Sequence, residues 1–151
     1  MPMSIDTNIL YSAVQVSDDW HVAASEFVAS LDGRDDVLIS EFALLELYGL
    51  LRNPAIVQHP LGASQAVAVC QDLRANPRWQ VVGLPTDSRD FHDAMWPRLG
   101  EPGFARRRAY DWRMALSLIR HGVDEFATAN LKDFEGFGFK RVWNPLLRPR
   151  A

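Results

Sequence analysis

Apolar residues along the chain follow two patterns, short continuous runs and longer stretches with helical spacing. The short runs predict strands at residues 3–6, 36–39, 79–84, 125–128 and 140–143. The longer stretches predict helices at residues 7–14, 18–31, 41–52, 61–76, 87–96 and 104–121, with a short turn or helix at 131–135. The two kinds of element alternate along the sequence, which is the pattern of an α/β domain.

This alternation predicts a single α/β domain with a mostly parallel sheet of about five strands flanked by helices. The chain has 151 residues, the length of one ordinary domain. We place that domain at residues 1–147 and a short tail at residues 148–151. In doubly wound sheets, sites form beyond the carboxyl ends of the strands. The residues directly after each strand are therefore the first candidates for function.

Local signals predict where several of the helices begin and end. Ser17 or Asp18 can cap the helix at 18–31, and Ser40 can cap the helix that follows the second strand. Pro97 is expected to stop the fifth long helix near Trp96, because proline disfavours a helical residue before it.

The composition narrows the class of protein. Hydrophobic residues make up 48% and charged residues 23%, which is typical of a globular chain and excludes a disordered one. No apolar run approaches the ~18 residues of a membrane helix. The single cysteine, Cys70, cannot form an internal disulfide, and Asp6 stands where a secretion signal needs a basic start. We therefore expect a cytoplasmic protein with no membrane segment.

Four acidic residues stand in apolar surroundings. Asp6 ends the first strand, and Asp133 follows the strand that ends at Thr128, so both are expected at the same edge of the sheet. Glu46 is the only charged residue in the apolar segment 42–51, which reads as a helix buried on all sides. Asp111 lies on the apolar face of the helix at 104–121. An ionised carboxylate in such a place is costly unless something compensates for its desolvation.

A divalent cation would compensate for four such carboxylates. Clustered acids repel one another and raise each other's pKa values. Mg²⁺ or Mn²⁺ accepts carboxylate oxygens and removes that repulsion, and it can activate water for in-line attack on a phosphodiester. Taken singly, each acid also has a structural interpretation: Asp111 could pair with Arg107 or Arg108, and Asp133 could stabilise a helix start.

The charge balance leaves RNA open as a partner. The formal net charge is −3, which by itself argues against a nucleic-acid binder. With the four acids assigned to a cation site, the remainder of the chain is close to neutral. Arg106, Arg107 and Arg108 could hold RNA phosphates beside that site, or they could form an ordinary solvated basic face.

Two other readings concern a different enzyme and a partner surface. A phosphatase of the haloacid dehalogenase type needs a second aspartate two residues after the first, and Asn8 stands there instead. An apolar patch that continues past the core face of the third and fourth helices could bind a partner or belong to the core. It comprises Leu47, Leu50, Leu51, Ile56 and Val57.

Four segments in order carry a resemblance to a known family. They are Ser4-Ile5-Asp6-Thr7-Asn8, Ile39-Ser40 followed by residues 46–52, Tyr110-Asp111 followed by Arg113, and residues 127–134. These segments resemble the PIN-domain nucleases, and most closely the VapC-type toxins of toxin–antitoxin modules. The resemblance spans nearly the whole chain. Trp112 is a departure, because a small residue is more usual at that position.

The resemblance implies a role for each matching residue. Asp6, Glu46 and Asp111 match the three central acids that bind Mg²⁺ or Mn²⁺ in that family, and Asp133 matches the fourth. The polar residues expected near the site are Thr7, Asn8, Ser40, Thr128 and Asn130.

The function implied is that of a metal-dependent endoribonuclease, the toxin of a toxin–antitoxin module. Its implied partners are an RNA substrate, a cognate antitoxin protein and a second copy of the chain. The alternative is a PIN-like module that binds RNA or protein without catalysis. Retention of all four acids favours the enzyme.

Overall fold

The protein is described here by a computed structural model that covers residues 1–147. The tail expected at residues 148–151 lies outside the described residues. None of the helices in residues 1–147 combines the length and the apolar character that a membrane span requires.

Residues 1–147 form one sheet of five parallel strands, as the sequence predicts. The strands are β1 (Met3–Ile5), β2 (Val37–Ser40), β3 (Trp79–Val82), β4 (Glu125–Ala127) and β5 (Arg141–Trp143). Their order across the sheet is β3-β2-β1-β4-β5. The chain moves outward from β1 to β3 and then returns to the other side of β1 for β4. The strand order therefore reverses at the β1–β4 boundary, where α/β sheets open a crevice for ligands.

Helices cover both faces of this sheet. They are α1 (Thr7–Val14), α2 (His21–Ala29), α3 (Glu41–Leu51), α4 (Ala63–Arg74), α5 (Ser88–Leu99), α6 (Ala109–Arg120) and α7 (Leu131–Phe134), with a 3-10 turn at Arg106–Arg108. Side chains alternate between two cores: Val37 and Ile39 of β2 pack with Ile9 and other residues of one core, and Leu38 packs with the other.

Three helix ends differ from the sequence prediction by three residues or more. Helix α5 continues through Pro97 to Leu99, and the Gly100 N–H group closes its last turn on the Pro97 carbonyl at 3.3 Å. Proline removes one donor there without ending the helix. The helix expected from residue 104 begins at Ala109, because the three arginines before it form the 3-10 turn. Helix α2 begins at His21.

Two predicted caps were tested by the structure. The Phe42 N–H group donates to Ser40 Oγ at 3.1 Å, which confirms Ser40 as the cap of α3. Asp18 instead accepts the N–H group of Trp20 at 3.0 Å, in the turn before α2, so it does not cap that helix.

The apolar patch, for which the sequence left a partner surface and the core open, belongs to the core for three of its five members. Leu47, Leu51 and Val57 are buried in the described structure, and only Ile56 is largely exposed. The reason is the path of the segment after α3. The chain folds back across the end of that helix, where the Leu61 N–H group donates to the Leu51 carbonyl at 2.9 Å.

Candidate active site at the carboxyl edge of the sheet

Strand register places Asp6 in the crevice between β1 and β4. Ile5 pairs with Ala127, so the residues that follow, Asp6 and Thr128, are also neighbours. The Thr128 hydroxyl donates to Asp6 Oδ2 at 2.7 Å. The Thr7 N–H group donates to Asp6 Oδ1 at 2.8 Å, so the same carboxylate caps α1. Both oxygens of this side chain are thus held in place.

Burial dominates the electrostatics of Asp6. Its side chain is only 5% exposed, and this burial raises its pKa to about 7. The hydrogen bonds from Thr128 and Thr7 act in the opposite direction, while the charges of Glu46 and Asp111 raise the pKa further.

Glu46 reaches the site from α3, but it is not buried as the sequence argument expected. Helix α3 has a solvent face, where Leu45 is 69% exposed and Glu46 is also exposed. The reading of this segment as buried on all sides was wrong, because an apolar residue occupies a solvent position. The Thr7 hydroxyl donates to Glu46 Oε2 at 2.7 Å, which ties α3 to α1 beside Asp6.

Asp111 stands in the first turn of α6 and is partly buried. Burial raises its pKa to about 6, and the charges of Glu46 and Asp133 add to that shift. The alternative in which Asp111 pairs with Arg107 or Arg108 is not what the structure shows. Both arginines turn towards the residues of α7 instead.

Asp133 lies in the four-residue helix α7 and forms an ion pair with Arg107. The neighbouring Arg108 donates to the carbonyl groups of Asp133 and Glu135, each at 3.0 Å. Its guanidinium carbon also lies 4.3 Å from the centre of the Phe137 ring. Arg108 therefore fastens the 3-10 turn to α7, whereas Arg107 bonds through a side chain that is 69% exposed.

All four carboxylates line one cavity of about 350 Å³, which we call the acidic cavity. Of the other residues predicted for the site, the structure brings Thr7, Asn8, Asn130 and Arg107 to its wall.

The remaining predicted residues lie outside that wall. Thr128 stands behind Asp6 and accepts the Asn130 N–H group at 3.0 Å, and Ser40 caps α3. Arg106 and Arg108 do not line the acidic cavity.

The acids share a cavity without forming a ready cation site. Within residues 1–147, no group of three or more histidine, cysteine, aspartate or glutamate side chains is arranged to hold a metal ion. Oxygens of Asp6 and Glu46 accept hydrogen bonds from threonines, which leave each of these oxygens a lone pair for an ion. An oxygen of Asp133 faces Arg107, so ligation by Asp133 would require that ion pair to open.

Two further cavities adjoin the acidic cavity. The aromatic cavity, of about 250 Å³, shares Glu46, Tyr110 and Asp111 with it and is otherwise lined by Phe42, Leu45, Arg113 and Met114. The basic cavity, of about 540 Å³, shares Arg107, Asn130 and Asp133 and adds Lys132, Asn144 and neighbouring residues. The shared lining residues place the aromatic and basic cavities next to the acidic cavity.

Tyr110 and Phe42 also line these cavities, although neither was predicted for the site. A signal for Phe42 was present in the spacing, because it stands four residues before Glu46 and shares a helix face with it. Tyr110 stands directly before Asp111, and adjacent helix positions point in different directions, so spacing gave no signal for it.

Trp112, the departure from the family pattern, lies in the core. Its Nε1–H group donates to the Met95 carbonyl at 3.0 Å, and its ring packs 5.2 Å from that of Phe137. It lines neither the acidic nor the aromatic cavity.

Comparison with known proteins gives one close relative and several similar folds. No family model matches the chain. Ribonuclease VapC24 of Mycobacterium tuberculosis is 45% identical over 144 residues, which cover 95% of this chain and 97% of the relative.

Among solved structures, the Mycobacterium tuberculosis toxin VapC20, described as cleaving the sarcin-ricin loop, aligns with a TM-score of 0.62. It is 17% identical and covers 82% of this chain and 86% of its own. The VapBC2 complex from Rickettsia felis, bound to a DNA fragment from its promoter, aligns with a TM-score of 0.65. It is 17% identical and covers 95% of this chain and 98% of its own. These two likenesses show the fold.

Proposed function

The chain belongs to the VapC ribonucleases, the toxins of toxin–antitoxin modules, and we propose that its RNA cleavage depends on Mg²⁺ or Mn²⁺ held by Asp6, Glu46, Asp111 and Asp133. The similar protein VapC24 is named a ribonuclease, which favours RNA cleavage over the alternative of a non-catalytic PIN-like module.

One observation carries the metal proposal. Four carboxylates from separate parts of the chain line one cavity at the strand switch point. The pKa of Asp6 is raised to about 7 and that of Asp111 to about 6, by burial and by the charges of their neighbours. In such a place the negative charge of a carboxylate is unfavourable. A hard divalent cation binds carboxylate oxygens and neutralises that charge. Such an ion, when bound, supplies activation of water and neutralisation of phosphate charge.

The residues of the chain itself bind and orient the substrate. Thr128 and Thr7 fix the direction of the Asp6 carboxylate, so that side is formed before any ligand arrives. Arg107 is the member of the arginine triplet that we assign to RNA. Its exposed guanidinium can leave Asp133 for a substrate phosphate, which frees a carboxylate oxygen at the same moment.

Phosphates further along the strand would lie in the basic cavity. Lys132, one of the two lysines of the chain, and Asn144 provide donors there, next to Arg107.

We also propose an antitoxin protein as the cognate partner of this chain. The support is the Rickettsia felis neighbour, which is a VapBC complex with the same fold. A second copy of the chain is a further proposed partner, which light scattering of the purified protein would test.

The experiment for the metal-dependent activity compares two glutamates of the same helix. Purified protein is incubated with RNA in Mn²⁺ and in EDTA, and cleavage is followed on gels. We expect wild type to cleave only with the metal, and Glu46→Gln to lose cleavage. The control is Glu41→Gln, which removes a carboxylate of α3 that pairs with Arg74 at 2.7 Å, away from the acidic cavity.

The outcomes separate the proposals. Cleavage by Glu41→Gln but not by Glu46→Gln supports the assignment of Glu46. Equal cleavage in EDTA would contradict the metal dependence. If wild type bound RNA but did not cleave it under any condition, the result would favour the non-catalytic PIN-like module instead.

A further inference from the structure

We propose that the aromatic cavity between α3 and α6 is a nucleobase subsite, in which a base beside the scissile phosphate stacks on Tyr110 and accepts a hydrogen bond from Arg113. This inference rests on the ribonuclease function and adds to it a place for one base of the substrate.

The position of the cavity makes it part of the substrate path. It shares Glu46, Tyr110 and Asp111 with the acidic cavity, so a strand whose phosphate lies among the acids passes its mouth. Its volume of about 250 Å³ suits a single planar base. Tyr110 is 74% exposed, and its ring stands at the boundary of the two cavities.

Arg113 carries the argument for a ligand. Its guanidinium carbon lies 4.5 Å from the centre of the Phe42 ring and 5.7 Å from that of the Tyr110 ring. Its Nε–H group is buried without a hydrogen-bond partner. None of the ion pairs among residues 1–147 involves it, although Glu46 and Asp111 line the same cavity.

A buried donor without a partner is unfavourable, and native proteins rarely leave one without a reason. An acceptor that enters the cavity and draws the Arg113 guanidinium towards it would remove that cost. Arginine planes and aromatic rings are the surfaces on which proteins stack the bases of single-stranded RNA, while hydrogen bonds are made to the base edges.

The charges of the cavity favour a base over a phosphate. Two carboxylates line it, and they would repel a phosphate group. A neutral base with carbonyl or ring-nitrogen acceptors avoids that repulsion and satisfies the arginine. The apolar wall formed by Phe42, Leu45 and Met114 accepts its ring faces. A second copy of this chain could also cover these apolar residues, and the test below separates the two occupants.

The test uses RNA that lacks one base. The bond cut by wild type is mapped first, and an abasic nucleotide is then placed on each side of it in turn. At one of the two positions we expect wild-type kcat/KM to fall on the order of tenfold, the usual scale of one lost stacking interaction. Tyr110→Ala should cleave the intact RNA as slowly as the abasic RNA.

Three further variants make the result specific. Tyr110→Phe keeps the ring and should retain the wild-type ratio of intact to abasic cleavage. Arg113→Gln should reduce that ratio, because it removes the donor and the planar cation. Trp96→Ala removes another largely exposed aromatic residue, from α5 and outside both cavities, and should leave the ratio unchanged.

Binding measured without catalysis separates this inference from the proposed function. In EDTA, the anisotropy of labelled intact and abasic RNA should show tighter binding of the intact strand by wild type and equal binding by Tyr110→Ala. Discrimination in binding without any cleavage would support the subsite and overturn the proposed activity. An abasic penalty that is the same in wild type and Tyr110→Ala would overturn the subsite. The subsite would also be overturned if Tyr110→Ala changed the oligomeric state of the protein, measured as molar mass by light scattering, but still bound intact RNA more tightly than abasic RNA.

Discussion

Asp6 and Asp133 line the same cavity, but the protein holds them by different means. Asp6 is buried, and its oxygens accept hydrogen bonds from Thr128, which strand register places beside it, and from Thr7 at the start of α1. Asp133 sits in a single helical turn, and its charge is met by the exposed side chain of Arg107. An ion pair in which the cation is largely exposed to water contributes little stability, so Arg107 can leave it for another anion. The Asp6 side of the site is therefore preorganised, whereas the Asp133 side is open to competition from substrate and ions.

The largest expected effect comes from removing the charge on the preorganised side. Asp6→Asn should lower the rate of Mn²⁺-dependent RNA cleavage by roughly a hundredfold or more, the scale of a lost electrostatic group in an active site. The amide oxygen can still cap α1, so the fold should persist. Initial rates, with circular dichroism to confirm folding, provide the measurement.

The matched control for this variant is Asp90→Asn. That carboxylate is exposed on α5 and pairs with Arg120 at 3.0 Å, away from the site. A folded Asp6→Asn protein that cleaves at the wild-type rate would remove Asp6 from the catalytic set.

The second prediction concerns the energetic cost of holding Asp6 in a buried position. Its pKa rises from 3.8 to about 7 on folding, so the folded protein binds more protons than the unfolded chain between these values. The contribution of this group to the free energy of unfolding therefore falls as pH rises through that window. Without metal, the stability gained by Asp6→Asn over wild type should grow between pH 5 and 8 by on the order of 2 kcal/mol.

Urea unfolding in EDTA at several pH values measures that difference. Asp36 does not contribute in this window, because hydrogen bonds from Arg34 lower its pKa to about 2. Asp111, with a pKa raised to about 6, titrates in the window in both proteins, so the quantity compared is the difference between variant and wild type. If the difference in free energy of unfolding between Asp6→Asn and wild type stayed constant with pH, burial would not raise the pKa of Asp6.

Asp111 lies between the two sides and should show a smaller effect on stability. At pH 8 in EDTA, Asp111→Asn should be more stable than wild type by about 1 kcal/mol, because it removes one charge from a repulsive group. Millimolar Mn²⁺ should reverse the order, since a ligand of the folded state stabilises the form that binds it better.

Thermal melts of both proteins with and without Mn²⁺ test this reversal. If Asp111→Asn were less stable than wild type in EDTA, Asp111 would be a structural partner rather than a strained ligand. A wild-type melting temperature that does not respond to Mn²⁺ would argue against any metal site.

The smallest expected effect, on RNA binding, concerns Arg107 on the Asp133 side of the site. Arg107→Gln should weaken RNA binding about threefold and reduce the slope of log K against log salt by about 1, as expected for one phosphate contact. Arg106→Gln is the matched control, because that neighbouring arginine is exposed and does not line the acidic cavity. An unchanged slope for Arg107→Gln would leave this arginine with only its ion pair to Asp133.

The sequence predicted the strands and the convergence of the acids, because both follow from local pattern and from one rule about parallel sheets. Asp6 could be placed since it directly follows an apolar run. The exposure of Glu46 could not be predicted, because it depends on how α3 lies on the sheet and on Leu45 occupying a solvent position. Helical spacing suggested that Arg107 pairs with Asp111, whereas the contact that forms joins residues 26 positions apart.

The bond between Thr128 and Asp6 joins residues 122 positions apart in the chain. A ribosome making this protein releases Asp6 among the first residues and Thr128 long afterwards. During that interval β1 has no β4 beside it, and the carboxylate lacks the hydroxyl that orients it. Contacts this distant in sequence form late, once both partners are free to meet. The acidic cavity can therefore be complete only after β4 and α7 have left the ribosome, since α7 supplies its last lining residues.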